Sequence, residues 1–411
     1  MNKRVVITGA GLISELGDSS ALLHQKLCAG MDGLGEIKEY KTLGFDPQPG
    51  GYISSFTPET YLKGRPLRPL DRTGRLFAAA AKLTLENSGW TAERLATHDV
   101  GVVLGTMFGS MHTISQFDRQ ALIDGPSCVS PMDFSNTVIN SAAAQTAIWH
   151  KLRGINSTTA SGATSGLMAI GYAADLIQGG RQTAVLAGGA DEFCFEAFCG
   201  MERAGLLCGP ASKGGCAVPF DERRTGMALT EAGALLALEE WESAKARGAT
   251  VLGEICGHAN AYNPARSQFG RGQEAIIRAM QGALDNARLS PKEIDCISTA
   301  ANGSIADDKN EALAIKTVFN GHTNHVWLTA IKSMLGETLG AAGVLQSIDF
   351  LETMRSSVLP GINGLSHVDQ ELSSLNFCRE PKFLSARAAL INGVGFDGHA
   401  CSIVITAPPQ A

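Results

Sequence analysis

The stretch that decides the fold runs Thr158-Thr159-Ala160-Ser161-Gly162-Ala163-Thr164-Ser165-Gly166. Small residues dominate it, and an apolar run from 167 to 177 follows and ends at Gly179-Gly180. This pattern predicts a strand that turns sharply into a buried helix with a glycine stop. Such an elbow directs one side chain towards the helix N-terminus, where free N–H groups and the dipole favour an anion. A cysteine there would act as a nucleophile, but this chain has Ala163.

The length and composition exclude several classes of protein. With 411 residues, 44% of them hydrophobic and 18% charged, the chain suits two fused domains with a large interior. A net charge of −6 argues against nucleic-acid binding, and no apolar run reaches the roughly 18 residues of a membrane span. Val5-Val6-Ile7-Thr8 predicts a first strand rather than a signal peptide. Ten cysteines without Cys-x-x-Cys spacing indicate reduced thiols in a cytoplasmic protein.

Strands and helices alternate along both halves of the chain. Strands are predicted at 5–8, 100–105, 183–190, 232–240, 251–256, 294–299, 326–331, 388–392 and 401–405. Besides the helix after the elbow, helices are predicted at 19–27, 72–89, 135–149, 273–288, 310–319 and 339–354, and a loop with a partly polar helix at 107–122. The strands have the apolar composition of a parallel sheet, which predicts an α/β fold.

An ordered set of motifs along the whole chain resembles the β-ketoacyl synthases of the thiolase superfamily. The motifs are Val5–Gly9, Leu70-Asp71-Arg72, Gly188–Asp191, Pro219–Gly226 with Glu231–Ala234, Lys332–Gly343 and Asn392–Gly398. The resemblance implies a thiolase fold with five layers, α/β/α/β/α, built from two similar halves at 1–250 and 251–411. It also implies an obligate dimer, in which the strand at about 154–161 pairs across the two-fold axis.

The three reactive groups of the family are missing from this chain. In active members a cysteine at the elbow carries the acyl chain, and two histidines assist decarboxylation and stabilise the oxyanion. The motifs place Ala163 at the cysteine position, Asn302 at the first histidine and Glu337 at the second. A shorter loop leaves Ala301 as an alternative for the first histidine. Lys332 and Phe396 match a buried lysine and an acyl-pocket gate of the family, although structural roles explain both equally well.

These replacements predict a chain that does not condense acyl groups by itself. Alanine has no nucleophile, asparagine cannot shuttle protons near neutral pH, and an ionised glutamate would repel a developing oxyanion. The pattern resembles the chain-length factors, which are inactive partners of active synthases in polyketide and aryl-polyene pathways. Their best-known members carry glutamine at the elbow, so Ala163 departs from them. The resemblance implies an active synthase and an acyl carrier protein as partners, with the growing chain on the carrier's phosphopantetheine. No cofactor or metal of this chain's own is expected.

Three other readings stay open. The chain could be an active condensing enzyme with a displaced nucleophile, for which Ser161 is the nearby candidate. It could be an engineered alanine mutant, although engineering would not also remove both histidines. It could also be a non-enzymatic scaffold protein.

Two further groups of residues are candidates for contacts with partners. The segment from Met107 to Leu122 matches the region that family members direct towards the partner's tunnel, and ordinary core packing is the alternative. Its large apolar residues, with spacings of 3, 3 and 5, are Met111, Ile114, Phe117 and Leu122. A basic run could attract an acidic carrier protein, with a solvated face or internal ion pairs as the alternative. It consists of Lys63, Arg65, Arg68, Arg72 and Arg75.

Overall fold

The computed structural model describes residues 3–263 and 272–409. Its strands are β1 (Val5–Ile13), β2 (Gly35–Ile37), β3 (Gln48–Gly51), β4 (Gly101–Gly105), β5 (Asn156–Thr159), β6 (Ala184–Asp191), β7 (Leu229–Thr230), β8 (Ala232–Glu240), β9 (Gly253–Tyr262), β10 (Cys296–Ser298), β11 (Trp327–Thr329), β12 (Val358–Leu359), β13 (Lys382–Phe383), β14 (Ala388–Val394) and β15 (His399–Thr406). Its α-helices are α1 (Ser20–Cys28), α2 (Pro58–Tyr61), α3 (Arg72–Asn87), α4 (Ala92–Thr97), α5 (Met111–Asp124), α6 (Pro131–Phe134), α7 (Ser141–His150), α8 (Ser165–Gln178), α9 (Phe195–Arg203), α10 (Trp241–Ala246), α11 (Glu274–Ala287), α12 (Ile305–Val318), α13 (Lys332–Leu335) and α14 (Ala342–Ser356).

The main sheet repeats one topology twice. Its order is β11-β10-β14-β15-β9-β1-β8-β6-β4-β5, and the two halves meet where β1 pairs with β9. Counted outwards from that junction, the first half is β1-β8-β6-β4-β5 and the second half is β9-β15-β14-β10-β11. If the strands of each half are numbered in chain order, both series are first, fifth, fourth, second and third. The expected construction from two similar halves is therefore confirmed. The boundary between the two halves at residues 250 and 251 stays a prediction.

The sheet is mixed rather than parallel, which corrects the expectation from strand composition. The central strands of each half are parallel, as between β4 and β6 or between β10 and β14. In each half, the two strands nearest the junction run antiparallel to their neighbours; these are β1 and β8 in the first half and β9 and β15 in the second. All of these strands are covered on both faces, so their apolar composition resembles that of parallel strands whatever their direction.

Five layers result because two buried helices lie between the two halves of the sheet. Helix α8 packs on β4 and β6 of the first half and on β15 and β9 of the second, while α14 packs on β14 and β8. Outside these strands lie α3 and α7 on one side and α11 and α12 on the other. Gly343 lets α14 approach α8 closely, since a Cβ there would lie 2.3 Å from Leu167. The central apolar cluster draws residues from both halves.

Three predicted helices begin or end elsewhere. The segment 135–149 is not one helix, because α6 ends at Phe134 and α7 begins only at Ser141. Helix α12 begins at Ile305 rather than 310, since the Ser304 hydroxyl caps it by accepting from the Asp307 N–H at 3.3 Å. The predicted helix at 339–354 begins with a 3₁₀ turn, and the α-helix runs from Ala342 to Ser356. Among the described residues, no helix is long and apolar enough to cross a membrane.

Candidate functional site

The elbow predicted from the sequence connects β5 to α8 and is held by short local hydrogen bonds. Gly162 has a φ of +59°, and a Cβ there would lie 2.5 Å from Asp397 Oδ2, so the position requires glycine. The Ser165 hydroxyl donates to the Gly162 carbonyl and accepts from the Ser161 N–H, both at 2.7 Å. This geometry places Ala163 one residue before the helix N-cap, Thr164, with its methyl group buried.

A buried polar network lies at the second and third predicted positions. Glu337 is 1% exposed, and its Oε2 accepts from Lys332 Nζ at 2.7 Å and from Asn302 Nδ2 at 2.8 Å. Its Oε1 accepts from the Leu339 N–H at 2.9 Å. Lys332 also donates to the Ala300 carbonyl at 2.8 Å. The charge of Glu337 is therefore balanced by Lys332 within a buried ion pair.

One small cavity brings the predicted residues together. Ala163, Asn302, Glu337 and Phe396 all line it. The open volume is about 10 Å³, which is roughly what a single water molecule needs. Neither Ser161 nor Ala301 is among the lining residues, and Ala301 packs instead in an apolar cluster. The cavity as it stands offers no nucleophile at the elbow and has no room for an acyl chain.

Several residues that line this cavity were not predicted from the sequence. They are Leu206, Met227, Ser304, Asp307 and Val394. Val394 lies within a motif that had been recognised, whereas Leu206 and Met227 come from the loop between α9 and β7. Asp307 was missed because the predicted start of α12 was five residues too late. The available signal was Ser304 followed by two acidic residues, which is typical of a helix N-terminus.

Two buried carboxyl groups on α12 hold the loop that carries Asn302. Asp308 accepts from the Asn302 N–H at 3.0 Å, and burial raises its pKa to about 6. Glu311 accepts from the Ala300 N–H at 3.0 Å and from Asn392 Nδ2 at 2.9 Å, and burial raises its pKa to about 7. These bonds fix the backbone of the loop, so that Asn302 points at Glu337.

The candidate tunnel residues lie on α5 in unequal environments. Met111 packs on the apolar cluster around Phe198, and Ile114 is half-buried. The ring of Phe117 lies 6.0 Å from the ring of Phe134, measured between centroids. Leu122 is 86% exposed. The tunnel assignment stays a prediction.

The five basic residues predicted to attract a carrier protein lie in two different environments. Lys63, Arg65 and Arg68 are exposed. Arg72 instead forms an ion pair with the buried carboxylate of Glu231. Arg75 donates to the Leu70 carbonyl at 2.9 Å. Within this run, the first three cations are therefore the ones exposed for contact with a carrier protein.

The strand that was expected to pair in a dimer lies at an open edge of the main sheet. Among the described residues, one side of β5 has no partner strand. Large apolar side chains are exposed on α5, α6, α7 and the segment between α6 and α7, namely Leu122, Ile123, Met132, Phe134, Val138, Ile139 and Ile148. Of these elements, α7 packs on β5.

Comparison with family models identifies the class of protein. Residues 2–244 match the N-terminal domain of the beta-ketoacyl synthases, and residues 252–366 match the C-terminal domain. The chain therefore belongs to the β-ketoacyl synthase family.

Individual relatives agree with this assignment. The chain is 29% identical to 3-oxoacyl-[acyl-carrier-protein] synthase 2 of Staphylococcus aureus (strain COL), with 98% of each sequence covered. It is equally similar to the protein of that name from Coxiella burnetii. Among solved structures, it resembles the ishigamide ketosynthase/chain length factor with a TM-score of 0.91 at 27% identity, over all of both chains. It also resembles a beta-ketoacyl synthase from Burkholderia phymatum STM815, with a TM-score of 0.92 at 27% identity, over 99% of this chain and 100% of the other.

Proposed function

We propose that this chain is a non-catalytic chain-length factor that pairs with an active β-ketoacyl synthase. The observation that carries the proposal is the cavity at the elbow. Ala163 supplies no nucleophile, and Asn302 and Glu337 occupy the remaining reactive positions in a closed network with Lys332. Replacing one residue could be drift, but the Asn302 amide and the Glu337 carboxylate bond to each other beside an elbow that has lost its nucleophile, which indicates a site rebuilt for structure.

The partner in this proposal is a synthase that retains its cysteine. The open edge of strand β5 and the exposed apolar residues on α5, α6 and α7 are features suited to such a partner. The likeness to a ketosynthase/chain length factor supports the same assignment. An acyl carrier protein would deliver the growing polyketide or aryl-polyene chain on its phosphopantetheine. The names of the curated relatives support that carrier.

The test is reconstitution with a cysteine-bearing synthase encoded beside this chain. Each protein alone, and the two together, would be incubated with starter-loaded and malonyl-loaded carrier protein. Intact-mass analysis would detect acyl groups on each chain, and chromatography would measure product length. We expect no adduct on this chain, and products of defined length only from the pair.

Two results would overturn the proposal in different directions. An acyl adduct or turnover by this chain alone would establish an active synthase with an atypical site. A complex whose product length and yield match those of the synthase alone would establish a scaffold protein instead.

A further inference from the structure

A second cavity, of about 730 Å³, opens between the C-terminal end of α3, helix α4 and the C-terminal end of α7. Small-molecule sites in proteins commonly enclose roughly 300–1,000 Å³, so the size of this cavity suits a compact organic ligand. None of the residues that line it also lines the elbow cavity. The proposed function therefore makes no use of it.

Two tryptophan side chains dominate the apolar part of this cavity. Trp90 is buried, and its indole N–H donates to the Glu239 carboxylate at 3.1 Å, which fixes the plane of the ring. Trp149, near the end of α7, is half-buried. Leu85 and Leu95 add aliphatic contacts to the lining. Indole rings offer large flat faces, which suit an aromatic ligand through stacked or edge-to-face contacts.

Positive charge predominates among the polar residues that line the cavity. Three of them are cations, Lys82, Lys151 and Arg153, against the single carboxylate of Glu86. Lys82 forms an ion pair with Glu86, and Arg153 lies 3.3 Å from the carboxylate of Asp99. In the described part of the chain, Lys151 has no carboxylate partner. Its ammonium group is therefore the cation that remains for a ligand.

The histidine at this cavity adds no charge at neutral pH. His150 Nε2 donates to the Ala78 carbonyl at 2.9 Å. Burial, together with the charges of Lys82 and Arg65, lowers the pKa of His150 to about 4. The imidazole is therefore neutral, and its Nδ1 carries a lone pair that can accept a hydrogen bond. The excess positive charge of the lining comes from its lysines and arginine alone.

We propose that this cavity binds a small aromatic monocarboxylate, with its rings against Trp90 and Trp149 and its carboxylate on Lys151. One unpaired ammonium group matches one negative charge, whereas a phosphate ester would bring nearly two. An aliphatic acid would gain the ion pair but not the aromatic contacts, and a neutral aromatic would gain the reverse. The attraction between carboxylate and ammonium is stronger beside the indoles than in open water, because the local dielectric constant is lower.

The test is calorimetric titration of the full-length chain with 2-naphthoate at pH 7. The matched ligand is 2-naphthamide, which has the same rings and no charge. We expect saturable binding of 2-naphthoate at one site, and binding of 2-naphthamide that is about tenfold weaker because the charge-assisted bond to Lys151 is missing. No synthase or carrier protein is present, so this result is separate from that of the reconstitution.

Lys151→Gly removes the ammonium group without disturbing the backbone. Lys151 caps α7 with a φ of +58°, a left-handed conformation that glycine adopts readily. The variant should bind 2-naphthoate about tenfold more weakly and 2-naphthamide as before. Arg288→Gly is the matched control, since Arg288 caps α11 with a φ of +56° and does not line this cavity. It should change neither affinity, whereas Trp149→Leu should weaken both.

Three results would overturn the proposal. One is the absence of saturable 2-naphthoate binding below about 5 mM. Another is equal affinity for 2-naphthoate and 2-naphthamide in the wild type, which would show that no cation takes part. The third is an unchanged affinity for 2-naphthoate in Lys151→Gly. If thermal melting shows that this variant is unfolded, the comparison of the two ligands in the wild type decides the question alone.

Discussion

Lys332 and Glu337 form an ion pair that is almost wholly removed from solvent, with side-chain exposures of 4% and 1%. Two charges in such a place are costly to desolvate, and only good geometry and further hydrogen bonds offset that cost. Here Asn302, the Ala300 carbonyl and the Leu339 N–H supply those bonds. The pair therefore depends on both of its members being present.

Removing one charge of the pair should destabilise the protein far more than removing both charges. We expect Lys332→Met to lower the free energy of unfolding by about 3–5 kcal/mol, because Glu337 is left buried without its partner. The double variant Lys332→Met/Glu337→Gln should recover at least half of that loss. Lys309 pairs with Glu371 at the surface, so Lys309→Met should cost less than about 1 kcal/mol. Urea denaturation measures all three, and equal losses for the single and double variants would contradict the argument.

The nucleophile alone should not restore chemistry at the elbow. We expect Ala163→Cys to show no condensation, because Asn302 still cannot transfer a proton and Glu337 still cannot stabilise an oxyanion. Incubation with acyl-loaded and malonyl-loaded carrier protein, followed by product analysis, measures this. Alkylation of the introduced thiol would show that it is present and reduced. Appreciable condensation by this single variant would show that the histidine positions have been misassigned.

At the scale of elements, α5 is fixed at its N-terminus by acidic residues of the neighbouring segment. Glu192 Oε1 accepts from the His112 N–H at 3.1 Å, and Glu196 Oε2 is 3.2 Å from His112 Nδ1. Burial, together with the charges of Asp71 and Glu231, raises the pKa of Glu192 to about 8. Glu192 therefore holds a proton in the folded protein at neutral pH.

This proton makes stability depend on pH. The ordinary pKa of a glutamate is about 4.3, so the folded state binds the proton more tightly than the unfolded chain does. The resulting stabilisation is complete below about pH 4.3 and is lost as the pH rises to about 8. Between pH 5 and 8 we expect the wild type to lose at most about 1.4 kcal/mol per pH unit relative to Glu192→Gln. Exposed Glu293, replaced by Gln, is the control and should show no such slope. Parallel denaturation curves for wild type and Glu192→Gln at every pH would rule out the protonated state.

The apolar residues of α5 should affect product length. If Phe117 limits the tunnel, Phe117→Ala opens volume and the assembled complex should release longer products, because overpacking a dense interior costs roughly 1–3 kcal/mol. If Phe117 is only a core residue that packs on Phe134, the variant should lower stability with unchanged length. Product chromatography and thermal melting separate these outcomes. Unchanged length for Phe117→Ala, Met111→Ala and Ile114→Ala in stable complexes would end the tunnel assignment.

At the scale of the whole molecule, the proposed heterodimer predicts that exposed apolar residues on α5, α6 and α7 contact the partner. A charge on α6 should weaken assembly without unfolding the chain, since Phe134 is 61% exposed. We expect Phe134→Asp to reduce recovery of the synthase in co-purification at least about tenfold. Phe383 on β13 is 77% exposed and is the control, for which Phe383→Asp should leave recovery unchanged. Equal recovery with both variants would place the interface elsewhere.

The sequence predicted which residues form the core of the candidate site, but not the hydrogen bonds and ion pair that join them. The motif spacing indicated Ala163, Asn302 and Glu337, and all three line one cavity. The pairing of Glu337 with Lys332 was not foreseen, because a motif shows which residue is absent and not what its replacement bonds to. Asp307 was missed because a one-residue cap, Ser304, moved the start of α12.

The sequence by itself determined the alternation of strands and helices in both halves and the elbow with its missing nucleophile, since periodicity, turn residues and motif order are local properties of the chain. Only the tertiary structure decided strand direction, the closing of the cavity by the Glu337 network, and the separation of Arg72 and Arg75 from the exposed cations. It alone brought His24 within reach of Asp349, 325 residues away. Contacts over such distances depend on how whole layers pack, and no local pattern specifies that packing.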